Sequence, residues 1–369
     1  MARVINFNPG PSALPLSVLQ QMQEELLDYQ GTGMSILEHS HRGQPYGEVH
    51  TEVKELLREL LTIPASHEIL FMTGGATSQF AFVPLNFLHA DRSADYIVTG
   101  TWSVKAMAEA KIVAEAQCAW EEKQDGKYLR VPVQSELKLD PNAAYCHMTS
   151  NNTVAGTQFH YVPDSGSVPL VADMSSDILS RPIDVSKFGL IYAGAQKNLG
   201  PSGVTVVIIR KSWIDEAKTE GVPKIFRYKT ILEGDSLQNT APTFPIYAVR
   251  NNLRWVKEQG GVSAMEAQNK HKAEALYGCI SEIPNFYTCP VEASSRSLMN
   301  AVFRLPTEAL EKQFVAEASA QGMHGVKGHR SVGGIRISMY NAIGVDKVHT
   351  LVKFMREFAK ANSRPAANS

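Results

Sequence analysis

The sequence contains few cysteines, four among 369 residues, and they lie far apart in the chain. No two of them have the two-residue separation that is typical of zinc and redox motifs. Secreted domains that depend on disulfide bonds carry many more cysteines for their length. The sequence therefore predicts neither a disulfide framework nor a metal site.

An excess of charge of either sign is also missing. The chain has 36 lysines and arginines against 37 aspartates and glutamates, which gives a formal net charge of −1. Proteins that bind nucleic acids usually carry a basic excess, because they neutralise phosphates. We therefore expect no nucleic-acid partner.

Long apolar runs are absent as well. The most apolar run, residues 204–209, is much shorter than the ~20 residues that a helix needs to cross a bilayer. The first 15 residues contain no continuous apolar run of the kind found in secretory signal peptides. These features predict a cytoplasmic protein with no membrane partner.

The sequence does contain short apolar runs that alternate with helical segments between residues 67 and 210. The apolar runs predict strands at 68–72, 95–98, 144–148, 170–172, 190–193 and 205–209. The spacing of apolar residues predicts helices over 78–88 and 103–116. This alternation is typical of an α/β fold with a mostly parallel sheet covered on both faces, in which ligands bind at the carboxyl ends of strands.

A second domain is predicted in the last third of the chain. A long helical pattern starts near residue 245, is interrupted at Gly260 and Gly261, and continues to Ile280. Two further strands and two helices are predicted after it, at 299–305, 335–339, 307–321 and 346–361. We predict a large domain over residues 16–258 and a small α+β domain that joins residues 259–369 to the N-terminal arm, residues 1–15.

Lys197 is the strongest candidate for chemistry. It follows an apolar strand and lies in a segment rich in glycine and proline, residues 192–203. Burying an unpaired ammonium group is costly, and the loss of solvent lowers the proton affinity of the amine. Such an amine is suited to covalent bonding with a carbonyl group. The alternative is a lysine at a strand end with no chemical role.

Two more candidates follow predicted strands. Asp173 comes directly after the apolar run 170–172, where an acid can bind a metal, a ribose hydroxyl or a protonated ring nitrogen. A glycine-rich turn at 73–77 precedes a helix, and such turns can bind an anion. The alternatives are a helix-capping aspartate and a simple connection.

Several other loops carry aromatic, amide or basic side chains. Trp102 follows a strand and could stack on a planar ring, although tryptophan at such a place is more often core packing. The loops 151–153 and 239–240 offer hydrogen-bond donors. The basic residues could grip a small substrate with two anionic ends, and they are His39, His41, Arg42, Lys327, His329, Arg330 and Arg336.

Together these features resemble a known family. The segments 6–11, 39–42, 193–198, 328–330 and 333–338 are similar to those of the phosphoserine aminotransferases, class-V enzymes that depend on pyridoxal phosphate. The matching segments follow one another in the same order over nearly the whole chain. The resemblance implies the fold of the aspartate aminotransferase type (fold type I), with residues 16–258 as the cofactor-binding domain.

The resemblance also implies cofactor-binding roles. Lys197 would hold the cofactor aldehyde as an imine, and Asp173 would pair with the pyridinium nitrogen. Trp102 would stack on the ring and Thr153 would hydrogen-bond its phenolic oxygen. The cofactor phosphate would be bound by Ala76, Thr77 and Gln196. In the family a homodimer shares its active sites, so that Asn239 and Thr240 would reach the phosphate of the partner's cofactor.

The implied reaction converts phosphoserine and 2-oxoglutarate to 3-phosphooxypyruvate and glutamate in serine biosynthesis. Arg336 would bind the substrate α-carboxylate, and the substrate phosphate would be received by His41, Arg42, His329 and Arg330. Some family members have an arginine where this chain has Thr77, which puts part of the phosphate grip in doubt. Gln196 argues against the related cysteine desulfurases, which usually have a histidine there.

Three alternatives remain at this point. The chain could be another class-V transaminase, such as one that uses alanine or serine with glyoxylate, or an α/β binding protein in which Lys197 is structural. Activity on a related phosphorylated hydroxy-amino acid in cofactor biosynthesis also stays open.

Overall fold

The structure, a computed structural model, describes residues 3–363. Residues 1–2 and 364–369, which the sequence assigns to the two ends of the predicted small domain, lie outside the described residues.

Helices and strands alternate through most of the chain. The helices are α1 Leu16–Glu24, α2 Gln44–Leu60, α3 Thr77–Phe87, α4 Thr101–Val113, α5 Lys211–Asp215, α6 Tyr228–Glu233, α7 Thr243–Glu258, α8 Gly261–Glu282, α9 Glu308–Ala320 and α10 Val345–Asn362. The strands are β1 Ile5–Asn6, β2 His67–Thr73, β3 Ala94–Val98, β4 Ala116–Glu121, β5 Cys146–Thr149, β6 Asn151–Asn152, β7 Thr157–Gln158, β8 Leu170–Asp173, β9 Leu190–Gly194, β10 Val204–Arg210, β11 Asn300–Phe303, β12 Met323–His324 and β13 Ile335–Ser338.

Seven of these strands form one large sheet, in the order β2-β10-β9-β8-β5-β3-β4. Strand β10 is antiparallel to both of its neighbours, and the pairs among the strands from β9 to β4 are parallel. The mostly parallel sheet predicted from the sequence is confirmed. Each of the six predicted strands is present, with bounds that differ by at most two residues from the prediction.

The seventh strand, β4, is absent from the sequence prediction, and the helix predicted over 103–116 is wrong at its end. Helix α4 ends at Val113 and the chain enters β4 at Ala116. Strand β4 lies at an edge of the sheet, and Gln117 and Cys118 within it are exposed. An edge strand that is partly exposed has no continuous apolar run to identify it, and its alanines favour a helix.

Both faces of the sheet are buried. Alternate residues of a strand enter different hydrophobic clusters, as Ile191 and Leu190 of β9 do. Helices α2 and α7 cover one face through residues such as Val53 and Leu253, and α3 and α4 cover the other. This arrangement explains why the central strands are apolar along their whole length.

A separate hydrophobic cluster contains strands β11 and β13 with helices α8, α9 and α10. Phe7 and Ala13 of the N-terminal arm belong to it. The predicted interruption of the long helix is confirmed: Gly260 and Gly261 have φ of 95° and 75°, a backbone conformation that favours glycine. A hydrophobic core of its own is what a second domain requires, and the boundaries at residues 16 and 258 stay a prediction.

The directions of the strands in the large sheet bring five loops together at one edge of the sheet. Strands β2, β3, β5, β8 and β9 all point the same way, because β10 is antiparallel to both β2 and β9. Their carboxyl ends therefore meet at the same edge of the sheet, where ligands of α/β proteins bind. No helix within residues 3–363 is both long enough and apolar enough to cross a membrane.

Candidate active site

A cavity of about 280 Å³ lies at this edge of the sheet. The loops after β2, β3, β5, β8 and β9 line it, together with Pro9 and Gly10 of the N-terminal arm, His329, and Arg336 of β13. Nine residues singled out from the sequence line this cavity, and they are Ala76, Thr77, Trp102, Thr153, Asp173, Gln196, Lys197, His329 and Arg336.

Lys197 lies on the loop after β9, at the wall of this cavity. The N-terminal arm fixes the loop, since Ser12 Oγ donates to the Lys197 carbonyl oxygen at 2.7 Å and Ser12 N donates to the Gln196 carbonyl oxygen at 2.9 Å. Gly10 has φ of +140°, and a Cβ there would lie 3.3 Å from Lys197 Cγ. Any other residue would be strained at this φ and would bring its Cβ close to the lysine side chain, so glycine lets the arm pack against Lys197.

The amine of Lys197 is held without a hydrogen-bonding partner. Within residues 3–363, no hydrogen bond or ion pair involves its Nζ, which lies 5.9 Å from the centroid of the Trp102 ring. Burial lowers the pKa of Lys197, and the negative charges of Asp173 and Asp177 oppose this effect. A lysine with a lowered pKa and a free amine is suited to bond covalently with a carbonyl carbon.

Asp173 is the last residue of β8 and only 7% of it is exposed. Its Oδ1 accepts a hydrogen bond from Ser175 N at 2.9 Å. Burial raises the pKa of Asp173, and the nearby Lys197 acts in the opposite direction. A buried carboxyl group of this kind favours a cationic ligand atom beside it, such as a protonated ring nitrogen.

An aromatic wall stands next to these two residues. The indole Nε1 of Trp102, at the start of α4, donates to Thr153 Oγ1 at 3.1 Å. The hydrogen bond fixes the orientation of the indole ring, which lines the cavity with Thr153. A fixed indole is a suitable surface for stacking a planar heterocycle.

The start of helix α3 provides a site for an anion. The turn between β2 and α3 contains Gly74 and Gly75, and it places Ala76 and Thr77 at the cavity. Gly194 borders the same turn: a Cβ there would lie 2.6 Å from Gln196 Oε1 and 3.2 Å from Ala76 N. The backbone N–H groups at a helix start, together with the helix dipole, bind phosphate readily.

Arg336 of β13 adds a guanidinium group to the cavity wall. Its Nη1 donates to the Thr153 carbonyl oxygen at 3.1 Å, while its Nε is buried and has no partner. Thr149 Oγ1, which also lines the cavity, is another buried polar atom without a partner. A buried polar atom without a hydrogen bond lowers the stability of the folded protein. These atoms therefore indicate a polar ligand that completes their hydrogen bonds.

Five of the predicted site residues do not line this cavity. They are His41, Arg42, Asn239, Thr240 and Arg330. Arg42, Asn239, Thr240 and Arg330 are exposed, and His41 Nε2 is buried without a partner. Asn239 lines a different cavity of about 110 Å³. The single chain therefore assembles the part of the site around Lys197 and leaves these residues outside it.

The sequence reasoning missed several polar residues of the cavity. Ser175 donates its N–H to Asp173, and its Oγ accepts from Gly194 N at 3.1 Å, which ties the loop after β8 to the end of β9. Ser176 also lines the cavity, as does Asn151 of the loop 151–153, which the sequence had already indicated as a source of hydrogen-bond donors. The position of Ser175 and Ser176 shortly after a predicted strand was the available signal.

These residues fit pyridoxal phosphate. A free amine, a buried carboxyl group, a fixed indole and a helix start surround one cavity, and they match the aldehyde, ring nitrogen, ring face and phosphate of that molecule. Within the described part of the chain, no cluster of three or more His, Cys, Asp or Glu residues could hold a metal ion.

Comparisons with known proteins identify the family. The aminotransferase class-V family matches residues 4–351. The phosphoserine aminotransferase of Herpetosiphon aurantiacus is 51% identical over 96% of this chain and 98% of its own. The solved structure of the Bacillus circulans subsp. alkalophilus phosphoserine aminotransferase is 48% identical, with a TM-score of 0.95 over 98% of this chain and 99% of its own.

A more distant relative of known structure contains the cofactor. The phosphoserine aminotransferase of Trichomonas vaginalis, solved with pyridoxal phosphate bound, is 37% identical, with a TM-score of 0.92 over 96% of this chain and all of its own. Fold, cavity and relatives lead to one conclusion: the chain belongs to the class-V aminotransferase family of pyridoxal-phosphate-dependent enzymes, with the phosphoserine aminotransferases as its near relatives.

Proposed function

We propose that this enzyme transfers the amino group of phosphoserine to 2-oxoglutarate, giving 3-phosphooxypyruvate and glutamate, and so serves serine biosynthesis. The observation that carries the proposal is the cavity in which Lys197, Asp173 and Arg336 meet. The identity of about half the residues with phosphoserine aminotransferases over nearly the whole chain supports the same substrate.

Pyridoxal phosphate, when bound, supplies an electron sink that accepts the charge left on the substrate α-carbon. Lys197 Nζ would hold the cofactor aldehyde, and its amine, when free, would act as the base that takes the proton from the substrate α-carbon. Asp173 would keep the ring nitrogen protonated, since a buried carboxylate stabilises a cation beside it. Trp102, oriented by its hydrogen bond to Thr153, would provide the surface on which the ring stacks.

The substrate is held by cations. Arg336 Nε has no partner in the cavity wall, and a two-pronged guanidinium is matched to the α-carboxylate. His329 lines the cavity beside it, and Arg330 is exposed next to His329 in the sequence. Phosphate and the distal carboxylate of glutamate are both anionic oxygen groups, so one basic subsite serves both half-reactions.

Incubation of the purified yellow protein with phosphoserine alone tests the proposal. We expect the visible absorbance of the cofactor aldehyde to disappear and 3-phosphooxypyruvate to be released before any 2-oxoglutarate is added, because the reaction proceeds in two half-reactions. Alanine and serine serve as controls. A spectral change with alanine or serine, and none with phosphoserine, would instead identify a transaminase for small neutral amino acids.

We further propose a homodimer with shared active sites. His41, Arg42, Asn239 and Thr240 match family positions that bind substrate or cofactor phosphate, yet none lines the cavity of its own chain. Most soluble oligomers are symmetric, and a two-fold axis would carry each of these groups to the partner's cavity.

Mixed dimers test this sharing. A dimer of one Lys197→Ala chain and one Arg42→Ala chain would have one site with both changes and one site with neither. Isolated through two different affinity tags, such mixed dimers should show about half of the parent rate at phosphoserine concentrations far below KM, because one of two sites is intact. Mixed dimers with about half the rate of the Arg42→Ala dimer would contradict a shared site, because one site would then lack Lys197 and the other Arg42.

We also propose that the enzyme works in the cytoplasm. All four cysteines, Cys118, Cys146, Cys279 and Cys289, are free thiols, which persist in reducing compartments. Cell fractionation should recover the protein with cytoplasmic markers, and recovery with membranes or secreted proteins would contradict this assignment.

A further inference from the structure

We propose that Lys105 is an additional cation for the substrate phosphate and sets the preference for phosphoserine over glutamate. This inference rests on the proposed function and assigns a role to a residue outside the cavity wall. Thr77, where some relatives carry an arginine, offers no charge to the substrate phosphate. Lys105 supplies a positive charge from a different element, helix α4, beside Trp102 of the cavity wall.

Helix α4 directs Lys105 toward the site. Lys105 follows Trp102 by three residues, so the two side chains lie on the same face of the helix. Its Nζ lies 5.0 Å from the centroid of the Trp102 ring, the same ring near which Lys197 Nζ lies. The cation–π contact holds an exposed side chain beside Trp102, which lines the cavity.

The surroundings of His329, which lines the cavity, place Lys105 near the site. The pKa of His329 is lowered, first by burial and then by the positive charges of Arg336, Arg330 and Lys105. Within residues 3–363, no carboxylate lies within ion-pair distance of Lys105, Arg330 or Arg336. The region around His329 therefore carries several positive charges that are not neutralised, an arrangement that attracts a small anion of high charge.

The two substrates differ in the charge at this end. The phosphate of phosphoserine carries close to two negative charges at neutral pH, whereas the distal carboxylate of glutamate carries one. An added ammonium group therefore stabilises bound phosphoserine more than bound glutamate. A lysine is suited to this task from a neighbouring helix, because its charge is compact and its four-carbon stem is flexible.

Lys105→Met tests the proposal, because methionine keeps an apolar stem over Trp102 and removes only the charge. We expect KM for phosphoserine to rise about three- to fivefold at low ionic strength, as for the loss of a solvent-exposed ion pair, with kcat unchanged. KM for glutamate should change by less than about twofold. Lys105→Arg should restore the parent KM, and Lys111→Met, exposed on the same helix, is the matched control.

Binding without turnover gives an independent readout. Isothermal titration of the holoenzyme with 3-phosphoglycerate, which has no amino group to transfer, should show the same weakening in Lys105→Met, and added salt should reduce the difference. Parent-like affinity of Lys105→Met for both phosphoserine and 3-phosphoglycerate would overturn the role of Lys105. Failure of the proposed function would give a different result from failure of the role of Lys105, since the parent enzyme itself would then not transaminate phosphoserine.

Discussion

Replacement of Lys197 by alanine should lower the rate of transamination by at least about 10⁴-fold, while the protein still folds. The amine has two tasks, since Nζ holds the cofactor aldehyde and moves the α-proton. Within the described wall of the cavity no second lysine is present to take either task. The fold should survive, because the hydrogen bond from Ser12 goes to the backbone carbonyl of Lys197, which alanine retains.

Three measurements check this expectation. Turnover is assayed with phosphoserine and 2-oxoglutarate, and thermal unfolding reports the fold. Borohydride treatment followed by peptide mass analysis should attach the cofactor to Lys197 in the parent and to no peptide of the variant. Lys111→Ala, a change of an exposed lysine outside the cavity, is the control for the loss of a positive charge. Transamination by Lys197→Ala near the parent rate would remove the central role assigned to this amine.

The residues of the cavity differ in how far the sequence could reveal them. Lys197 and Asp173 follow buried strands, and a parallel sheet places such residues at one edge, so periodicity alone identified both as candidates. Arg336 lies inside strand β13, and nothing in its local pattern separates it from a structural arginine. The sequence alone named it only as one of several basic candidates, and the resemblance to a family was needed to assign it to the substrate α-carboxylate.

Long-range packing was out of reach of the sequence. The close approach of Gly10 to Lys197 joins residues far apart in the chain. The hydrogen bond from Gly194 N to Ser175 Oγ likewise depends on the pairing of β8 and β9. Serine is mostly exposed in proteins, and only the assembled sheet shows that Ser175 is buried at the cavity.

Strands could be predicted from the sequence where their burial produces apolar runs. The partly exposed strand could not be predicted in this way. The six other strands of the large sheet were recognised because both faces of the sheet are covered. The edge strand β4 was mistaken for the end of a helix, since its pattern is mixed and its alanines favour a helix. The helix break at Gly260 and Gly261 was predicted from the two consecutive glycines, and the positive φ of both residues explains why glycine is found there.

Replacement of Asp173 by asparagine should lower kcat about 10³-fold, a loss of about 4 kcal/mol of transition-state stabilisation. Asparagine fills the same volume and keeps an oxygen for the hydrogen bond from Ser175 N, but it carries no charge to hold a proton on the ring nitrogen. Asp184→Asn, at an exposed position outside the cavity, is the matched control.

The pKa of Asp173 predicts a second effect, on stability. Burial raises the pKa of Asp173 in the folded protein above its value in the unfolded chain. The cofactor-free parent should therefore lose stability as the pH rises from the unfolded pKa through the folded pKa. Asp173→Asn should not show this loss. A cation on the bound cofactor offsets the buried charge, so added pyridoxal phosphate should raise Tm more in the parent than in the variant. Equal increases in Tm, together with a parent-like kcat, would show that Asp173 does not pair with the ring nitrogen.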